Sequence, residues 1–268
     1  MLFFKKKFSR HKYRLGLRQW CPELSPELAQ SVQWLRPAEK TPPGETASRF
    51  SNTPGAHKWH HYFKIYDELF GALRLRPISV LEIGIYKGAS ARVWRDFFHA
   101  ESTIVGIDIN TKCAEFDAPG KKLHIRIGSQ QDKEFLTRVN QEFGPFDLII
   151  DDGSHVSSHM ISSFNHLFLD GLKPGGLYFV EDTHTSFWES HRDQDRSFMD
   201  FCFGLVQCMH AHYVANTTEK LFRVEGPDSI ASTAVPRITT LIDEIRFLDS
   251  VIAIRKASSK SLPQSQHW

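Results

Sequence analysis

Acidic side chains follow two apolar runs of the sequence, 146–150 and 176–180. The acids and the histidine that come directly after these runs are Asp151, Asp152, His155, Glu181 and Asp182. If both runs are buried strands of an open α/β sheet, these side chains meet at its carboxyl edge, where ligands bind. Carboxylates gathered there repel one another unless a cation lies between them. A hard divalent cation prefers such oxygen ligands, so the pattern predicts a metal site. The alternative is that the acids cap the helices that follow.

Two glycines, spaced four residues apart, follow the first predicted strand. Gly84 allows a tight turn, and Gly88 allows the next helix to pack closely. Glu82 precedes this turn, and Asp108 ends the second predicted strand, where an acid can accept hydrogen bonds from ribose hydroxyls. The spacing is not G-x-G-x-x-G. It therefore predicts a cofactor site but disfavours a dinucleotide with a pyrophosphate.

Alternating strands and helices must position these groups. The apolar patterns predict strands at 78–83, 103–107, 123–127, 146–150 and 176–180. Helical spacing predicts helices at 60–70, 89–99, 135–143, 158–169 and 195–213. Such alternation is typical of a mostly parallel sheet covered on both faces. Two further strands, at 240–247 and 250–255 with Leu248 and Asp249 between them, predict a closing antiparallel hairpin.

The composition is that of a soluble globular protein. Of the 268 residues, 41% are hydrophobic and 24% are charged, and the net charge of +2 disfavours nucleic-acid binding by the whole molecule. No apolar stretch is long enough for a membrane span. The four cysteines lack C-x-x-C spacing, which disfavours a zinc or redox site and favours reduced thiols in the cytoplasm.

The chain is expected to have three parts. Residues 1–55 are a Pro-rich, basic extension, expected to be partly disordered with one possible helix at 25–34. Residues 56–256 form the α/β domain, and residues 257–268 are a polar tail. The basic residues that precede the first acid, Glu23, are Lys5, Lys6, Lys7, Arg10, Lys12, Arg14 and Arg18. They are either a solvated leader or a surface that attracts an anionic partner.

The glycine turn followed by an acid resembles the class I S-adenosylmethionine-dependent methyltransferases over about residues 56–256. A narrower resemblance, to the macrocin and mycinamicin sugar O-methyltransferases, comes from the segments 55–62 with Tyr66, 128–132, 151–155, 175–178 and 181–182. The rhamnosyl O-methyltransferases and the cephalosporin-hydroxylase group share this pattern. His57 departs from it, since members usually carry an acid there. The resemblance implies a Rossmann-like fold with a seven-stranded sheet.

The resemblance also implies roles for single residues. Those expected to bind S-adenosylmethionine are Glu82, Gly84, Gly88, Asp108, Ser129, Gln130 and Asp151. Those expected to bind Mg²⁺ are Asp152, Glu181 and Asp182. His155 and Asp152 are the expected catalytic residues. A histidine at this turn could reach a hydroxyl on the metal, and its ordinary pKa near 6.5 suits a general base.

These assignments predict an O-methyltransferase that acts on a hydroxyl of a glycosylated or polyketide-type small molecule. A hydroxyl that belongs to a vicinal diol is the preferred acceptor. The aromatic residues expected at the acceptor are Trp59, His60, Tyr62, Phe187 and Trp188, with core packing as the alternative. Two rival functions stay open. One is a catechol-type O-methyltransferase, and the other is an accessory or oxygenation protein like the cephalosporin-hydroxylase group. The resemblance also implies a homo-oligomer.

Overall fold

The computed structural model of the protein describes residues 42–214 and 216–265, together with Ser25, Leu28, residues 35–37 and Lys40. The chain divides into the units Met1–Thr41 and Pro42–Trp268. The basic N-terminal residues lie outside the described part of the chain. So does the helix expected at 25–34, except for Ser25 and Leu28, and the predictions made for both segments stay predictions.

One seven-stranded sheet forms the centre of the second unit. Its strands are β1 (Ser79–Ile83), β2 (Thr103–Asp108), β3 (Leu123–Ile127), β4 (Phe146–Asp151), β5 (Leu172–Val180), β6 (Ile242–Leu248) and β7 (Val251–Lys256). They lie in the order β3-β2-β1-β4-β5-β7-β6. The first five are parallel, and β7 runs antiparallel between β5 and β6. The mostly parallel sheet with a closing antiparallel hairpin is therefore confirmed.

Helices cover both faces of this sheet. They are α1 (Glu45–Ser51), α2 (His60–Phe70), α3 (Ala89–Phe97), α4 (Lys133–Phe143), α5 (Ser157–Asp170), α6 (Phe198–Met209), α7 (Asn216–Val224) and α8 (Arg237–Leu241). One core lies between the sheet and α1, α2 and α3, and a second lies between the sheet and α4, α5 and α6. Because side chains alternate along a strand, β5 contributes to both cores. Phe179 faces the first core and Tyr178 faces the second. No helix in the described ranges combines the length and apolar character that crossing a membrane requires.

The parallel register aligns the carboxyl ends of the central strands. Ile83 at the end of β1 pairs with Asp151 of β4, and Asp151 in turn pairs with Val180 of β5. The residues that follow, Gly84, Asp152 and Glu181, therefore emerge side by side at one edge of the sheet. Strand register thus brings the glycine turn and both acidic segments together.

Several elements differ from the sequence prediction, and helices α7 and α8 were not predicted. Strand β5 starts at Leu172 and not at 176, and its pairing with β4 has a register shift between Phe146 and Leu148. Helix α6 starts at Phe198, where Ser197 and Asp200 form a capping box, and not at 195. The hairpin link consists of Asp249 and Ser250, one residue later than predicted.

Helix α1 was missed by the sequence prediction, which placed the domain boundary after residue 55. The compact unit begins at Pro42. The reason is that Ala47 and Phe50 of α1 are buried in the first core. The Phe50 ring centroid lies 5.7 Å from that of Phe63 and 5.3 Å from that of Trp94. Burial of these apolar side chains therefore anchors α1 in the core that covers one face of the sheet.

Phe50→Ala should lower the free energy of unfolding by about 3 kcal/mol, because it opens a cavity in an aromatic core. Phe203→Ala is the matched control. Its ring is 54% exposed, so a change of about 0.5 kcal/mol or less is expected. Chemical denaturation monitored by circular dichroism measures both. Equal losses for the two variants would show that α1 does not belong to the core.

Candidate functional site

The glycine turn is shaped by backbone contacts that exclude other residues. Gly84 has φ +85°, and a Cβ there would collide with the carbonyl oxygen of Asp152. Gly88 is also left-handed and begins α3, where a Cβ would meet the ring of Phe116. Both glycines are therefore required by close approach as well as by conformation. The turn consequently lies directly against the first acidic segment.

Asp108 holds this turn from the neighbouring strand. Its Oδ2 accepts hydrogen bonds from the backbone N–H groups of Ile85, at 3.1 Å, and Tyr86, at 2.9 Å. Its Oδ1 accepts from the N–H of Asn110. Asp108 lines the cavity described below. It therefore organises the turn and also presents a carboxylate to that cavity.

A cavity of about 710 Å³ joins the glycine turn to the acidic strand ends. Gly84 and Asp108 line one part of it, and Asp152, His155 and Asp182 line another. A second cavity of about 290 Å³ shares Gly84 and Asp108 with the first and is lined in addition by Ser129 and Gln130. Residues predicted to bind the cofactor and residues predicted to bind the metal therefore line adjoining cavities at the same edge of the sheet.

Three side chains that can bind a metal lie together in the larger cavity. Among the described residues, one group places its potential ligand atoms within 4.8 Å of one another, and it comprises Asp152, His155 and Asp182. His155 Nε2 lies 3.9 Å from Asp152 Oδ1 and 3.6 Å from Asp182 Oδ2. Asp152 and Asp182 thus come together as predicted, but the third member is His155 and not Glu181.

The backbone at two of these positions is left-handed. His155 has φ +57° and Asp182 has φ +53°. Such conformations are uncommon for residues other than glycine and cluster at functional sites. Asp182 was considered as a helix cap, but its side chain makes no capping hydrogen bond to the short helical turn Thr183–Phe187. The conformation aims both side chains at the cavity instead.

Lys58 is the functional residue that sequence reasoning missed. Its Nζ lies 2.5 Å from Asp152 Oδ2 and 2.6 Å from Glu181 Oε2, and its side chain is only 6% exposed. Burial by itself lowers the pKa of this ammonium, but the charges of Asp152 and Glu181 overcome that effect and raise it. The signal available in the sequence was its place within the segment 55–62, which carried the family resemblance.

Glu181 is buried beside this ammonium. Burial and the neighbouring Asp152 charge raise the pKa of Glu181, whereas Lys58 opposes them. Its second oxygen, Oε1, is buried and has no hydrogen-bond partner within the described part of the chain. The hydroxyl of Tyr66, which is also buried without a hydrogen bond of good geometry, lies beside this carboxylate and lowers the pKa of Glu181.

Tyr62 positions Asp182 from the opposite side. Its hydroxyl donates to Asp182 Oδ1 at 2.6 Å and lies 2.7 Å from Ser250 Oγ. Ser250 Oγ in turn contacts Nδ1 of His184 at 2.5 Å. Tyr62, which was expected to contact the acceptor, does line the cavity, although its ring lies in the first core and its hydroxyl binds Asp182. Its main role here is to hold that carboxylate.

Glu82 lies beneath the site. It is fully buried, accepts a hydrogen bond from Trp94 Nε1 at 2.9 Å, and lines neither cavity. Burial raises the pKa of Glu82 to about 7, and the charge of Lys58 opposes this shift. Glu82 was expected to contact the cofactor. The structure instead places it under the turn, outside both cavities.

Asp151 also differs from the expectation. The pleat of β4 directs it to the second core, where it is 1% exposed and lines neither cavity. It accepts hydrogen bonds from Ser163 Oγ at 2.9 Å and from Gln130 Nε2 at 3.3 Å. Gln130 Oε1 then accepts from the N–H of Ser154 at 2.8 Å. Asp151 thus positions Gln130 and the turn after β4 from behind.

Two of the five predicted acceptor residues lie at the mouth of the cavity with exposed rings. Trp59 is 50% exposed and Trp188 is 49% exposed, and both line the cavity. Each contacts His184 edge-on, with centroid distances of 6.1 Å and 4.7 Å respectively. His60 and Phe187 are not among the residues that line this cavity. Trp59 and Trp188 therefore offer aromatic faces to a ligand.

The residues present fit a hard divalent cation. Asp152 and Asp182 offer carboxylate oxygens within 4.8 Å of each other, and Glu181, outside that group, lines the same cavity. Oxygen-rich sites of this kind suit Mg²⁺, which is usually held by one or two carboxylates together with other oxygen ligands. A single histidine, with no cysteine in the group, does not favour zinc.

Comparison with known proteins places these features in a family context. Residues 81–183 match a family described as a methyltransferase domain. The chain is 34% identical over 169 residues to the 8-demethyl-8-alpha-L-rhamnosyl tetracenomycin-C 2'-O-methyltransferase of Streptomyces olivaceus. It is 41% identical over 153 residues to the mycinamicin VI 2''-O-methyltransferase of Micromonospora griseorubida. These alignments cover 58% and 54% of this chain, but only 43% and 36% of those relatives.

The fold is also similar to that of a solved methyltransferase structure. The chain superposes on the MycE methyltransferase of the mycinamycin biosynthetic pathway, in complex with Mg and SAH, with a TM-score of 0.64 and 29% identity. The match covers 79% of this chain and 52% of MycE. The chain therefore spans about half the length of that protein.

Asp151→Ala should lower the free energy of unfolding by about 2 kcal/mol, because it removes the buried acceptor that the donors of Gln130, Ser163 and Tyr178 share. Asp170→Ala, at the exposed end of α5, should change it by about 0.5 kcal/mol or less. Denaturant titration measures both. Unchanged stability of Asp151→Ala together with loss of cofactor binding would favour the original assignment of Asp151 to the cofactor.

Proposed function

Since the chain contains a class I methyltransferase domain similar to those of sugar O-methyltransferases, we propose that it methylates a hydroxyl of a glycosylated or polyketide-type small molecule. The donor is S-adenosylmethionine, and the reaction depends on a divalent cation, Mg²⁺ in the first instance. His155 is the general base. One observation carries the proposal: a single cavity is lined by the glycine turn with Asp108 and by the group of Asp152, His155 and Asp182.

The cofactor side of the cavity suits a nucleoside with a short charged extension. The turn at Gly84 leaves no room for a side chain, so a ligand can approach the backbone closely. Asp108 offers its carboxylate at the end of β2, where an acid can accept hydrogen bonds from ribose hydroxyls. Ser129 and Gln130 line the adjoining smaller cavity, which is the proposed place of the adenine. When bound there, S-adenosylmethionine supplies a methyl group on a sulfonium.

The cation would be held by Asp152 and Asp182, with Glu181 as the third carboxylate. When bound, a divalent cation lowers the pKa of a coordinated hydroxyl and orients it. Tyr62 keeps Asp182 in place through its hydrogen bond of 2.6 Å. The support from relatives is that the MycE complexes contain Mg and SAH.

His155 is placed to remove the proton of the acceptor hydroxyl. Its Nε2 lies on the cavity side near Asp152 and Asp182, within 3.9 Å of both carboxylates. The hydroxyl proton would pass to Nε2 as the oxygen–carbon bond forms and the sulfur–carbon bond breaks. Alignment of the two reactants would supply the rest of the acceleration.

The acceptor is proposed to enter past Trp59 and Trp188. Exposed indole rings at a cavity mouth offer flat apolar surfaces to a sugar or polyketide ring. A vicinal diol suits the site because two neighbouring oxygens can reach one cation. The named activities of the relatives, on rhamnosyl and mycinamicin acceptors, favour a sugar hydroxyl over a planar catechol. A homo-oligomeric state and a cytoplasmic location stay predictions.

Removing the cation should abolish methyl transfer but leave cofactor binding. Transfer of labelled methyl from S-adenosylmethionine to a panel of glycosylated acceptors and catechols is measured with and without EDTA. Excess Mg²⁺ added after EDTA should restore the activity, because the carboxylates themselves are unchanged. Calorimetry of S-adenosylmethionine binding is the control.

The outcomes of this experiment separate the alternatives. Full activity in EDTA would contradict the role of the cation, and a preference for catechols would favour the catechol-type function. Cofactor binding without turnover on any diol would favour an accessory protein like the cephalosporin-hydroxylase group.

His155→Ala should lower kcat by about 10²- to 10⁴-fold, since general-base catalysis contributes roughly that much. Affinity for S-adenosylmethionine should stay within about threefold of that of the unchanged protein, because His155 does not line the smaller cavity. His166→Ala is the matched control, as its ring contacts Thr137 on the far side of α5. Equal rates for both variants in a steady-state methyl-transfer assay would exclude His155 as the base.

A further inference from the structure

Lys58 lies inside the acidic group that the proposed function assigns to a cation. It reaches Asp152 and Glu181 from the loop before α2, across 94 and 123 positions of the sequence respectively. All three side chains are at most 20% exposed, so water screens the charges only weakly. Their attraction is therefore a strong local constraint on both carboxylates.

Lys58 uses only one oxygen of each carboxylate. Asp152 Oδ2 binds the ammonium, whereas Asp152 Oδ1 is the oxygen near His155. Glu181 Oε2 binds the ammonium, whereas Glu181 Oε1 is buried and finds no partner among the residues described. The lysine therefore orients both groups and leaves one oxygen of each for another cation.

The charges match a single divalent cation. When ionised, the state that a bound cation favours, the three carboxylates that line the cavity, Asp152, Glu181 and Asp182, carry three negative charges, and Lys58 carries one positive charge. The sum is a net charge of minus two, which one divalent cation neutralises. Without Lys58 the sum would be minus three, and one buried charge would stay uncompensated, which is costly.

We propose that Lys58 is a positioning residue of the cation site, sharing Asp152 and Glu181 with the cation and setting the charge of the site to that of one divalent ion. This inference rests on the proposed function, because it requires that the acidic group binds a divalent cation. It goes beyond the proposed function by assigning a role to a lysine that lines the cavity and to which the proposed function gives none.

Mn²⁺ binding, followed by the loss of the free-ion signal in electron paramagnetic resonance, tests this role without any need for turnover. Lys58→Met should bind Mn²⁺ at least about tenfold more tightly, because a repelling charge is removed close to the ion. Glu181→Gln should bind it at least about tenfold more weakly for the opposite reason. Lys58→Met/Glu181→Gln keeps a net charge of minus two and should stay within about threefold of the unchanged protein.

Lys64→Met is the matched control, because Lys64 is an exposed lysine of α2. It should leave the affinity for Mn²⁺ unchanged. Thermal unfolding adds a second measurement: Lys58→Met should melt at a lower temperature without metal and should gain more from Mn²⁺ than the unchanged protein does. A lysine with a purely structural role would lower the melting temperature but would not tighten Mn²⁺ binding.

The two hypotheses fail in different ways. If the unchanged protein binds Mn²⁺ but Lys58→Met binds it equally or more weakly, the inference about Lys58 is wrong and the proposed function stands. If the unchanged protein does not bind Mn²⁺, the cation site is wrong and the inference falls with it. Should Lys58→Met fail to fold, Glu181→Gln is compared with the double variant. This pair tests the loss of Lys58 in a protein whose site has one negative charge fewer.

Discussion

The carboxyl edge of the central sheet must accommodate several acids that are close together and largely shielded from water. Burying a charge without compensation is so costly that each acid needs a partner. Lys58 compensates Asp152 and Glu181, and Tyr62 binds Asp182. Asp151, on the other face, is satisfied by Ser163 and Gln130. The arrangement of the whole edge follows from how these charges are compensated.

This compensation depends on the aromatic core of the first face. Lys58 and Tyr62 belong to the segment before β1, yet they bind acids that follow β4 and β5. Helix α2 holds them there because Tyr66 and Phe70 pack against Phe179 of β5, with centroid distances of 5.7 Å and 4.9 Å. Hydrophobic burial thus supplies the rigidity that the electrostatic contacts require. The site would loosen if α2 did not dock on the sheet.

Positive backbone φ angles are concentrated where the two halves of the cavity meet. Gly84, His155 and Asp182 all have positive φ, and the turn at Gly84 contacts the backbone of the acidic segment. Such conformations persist only where the surroundings enforce them. Here they bring a cofactor turn and an acidic group into one cavity of about 710 Å³. This proximity suits transfer of a group between two bound molecules, which requires the reacting atoms to be held in line.

The sequence by itself determined the order of strands and helices, the parallel sheet, the closing hairpin and the two acidic segments at strand ends. Local apolar patterns and glycine spacing carry that information, since they depend only on neighbouring residues. The tertiary structure alone decided which charges meet. Docking of α1 and the burial of Lys58 depend on contacts across the chain, and the pleat of β4 sent Asp151 behind the site while Asp152 lines the cavity. Adjacent residues of a strand point to opposite faces of the sheet. Asp151 therefore supports the site from behind, whereas Asp152 belongs to the site itself.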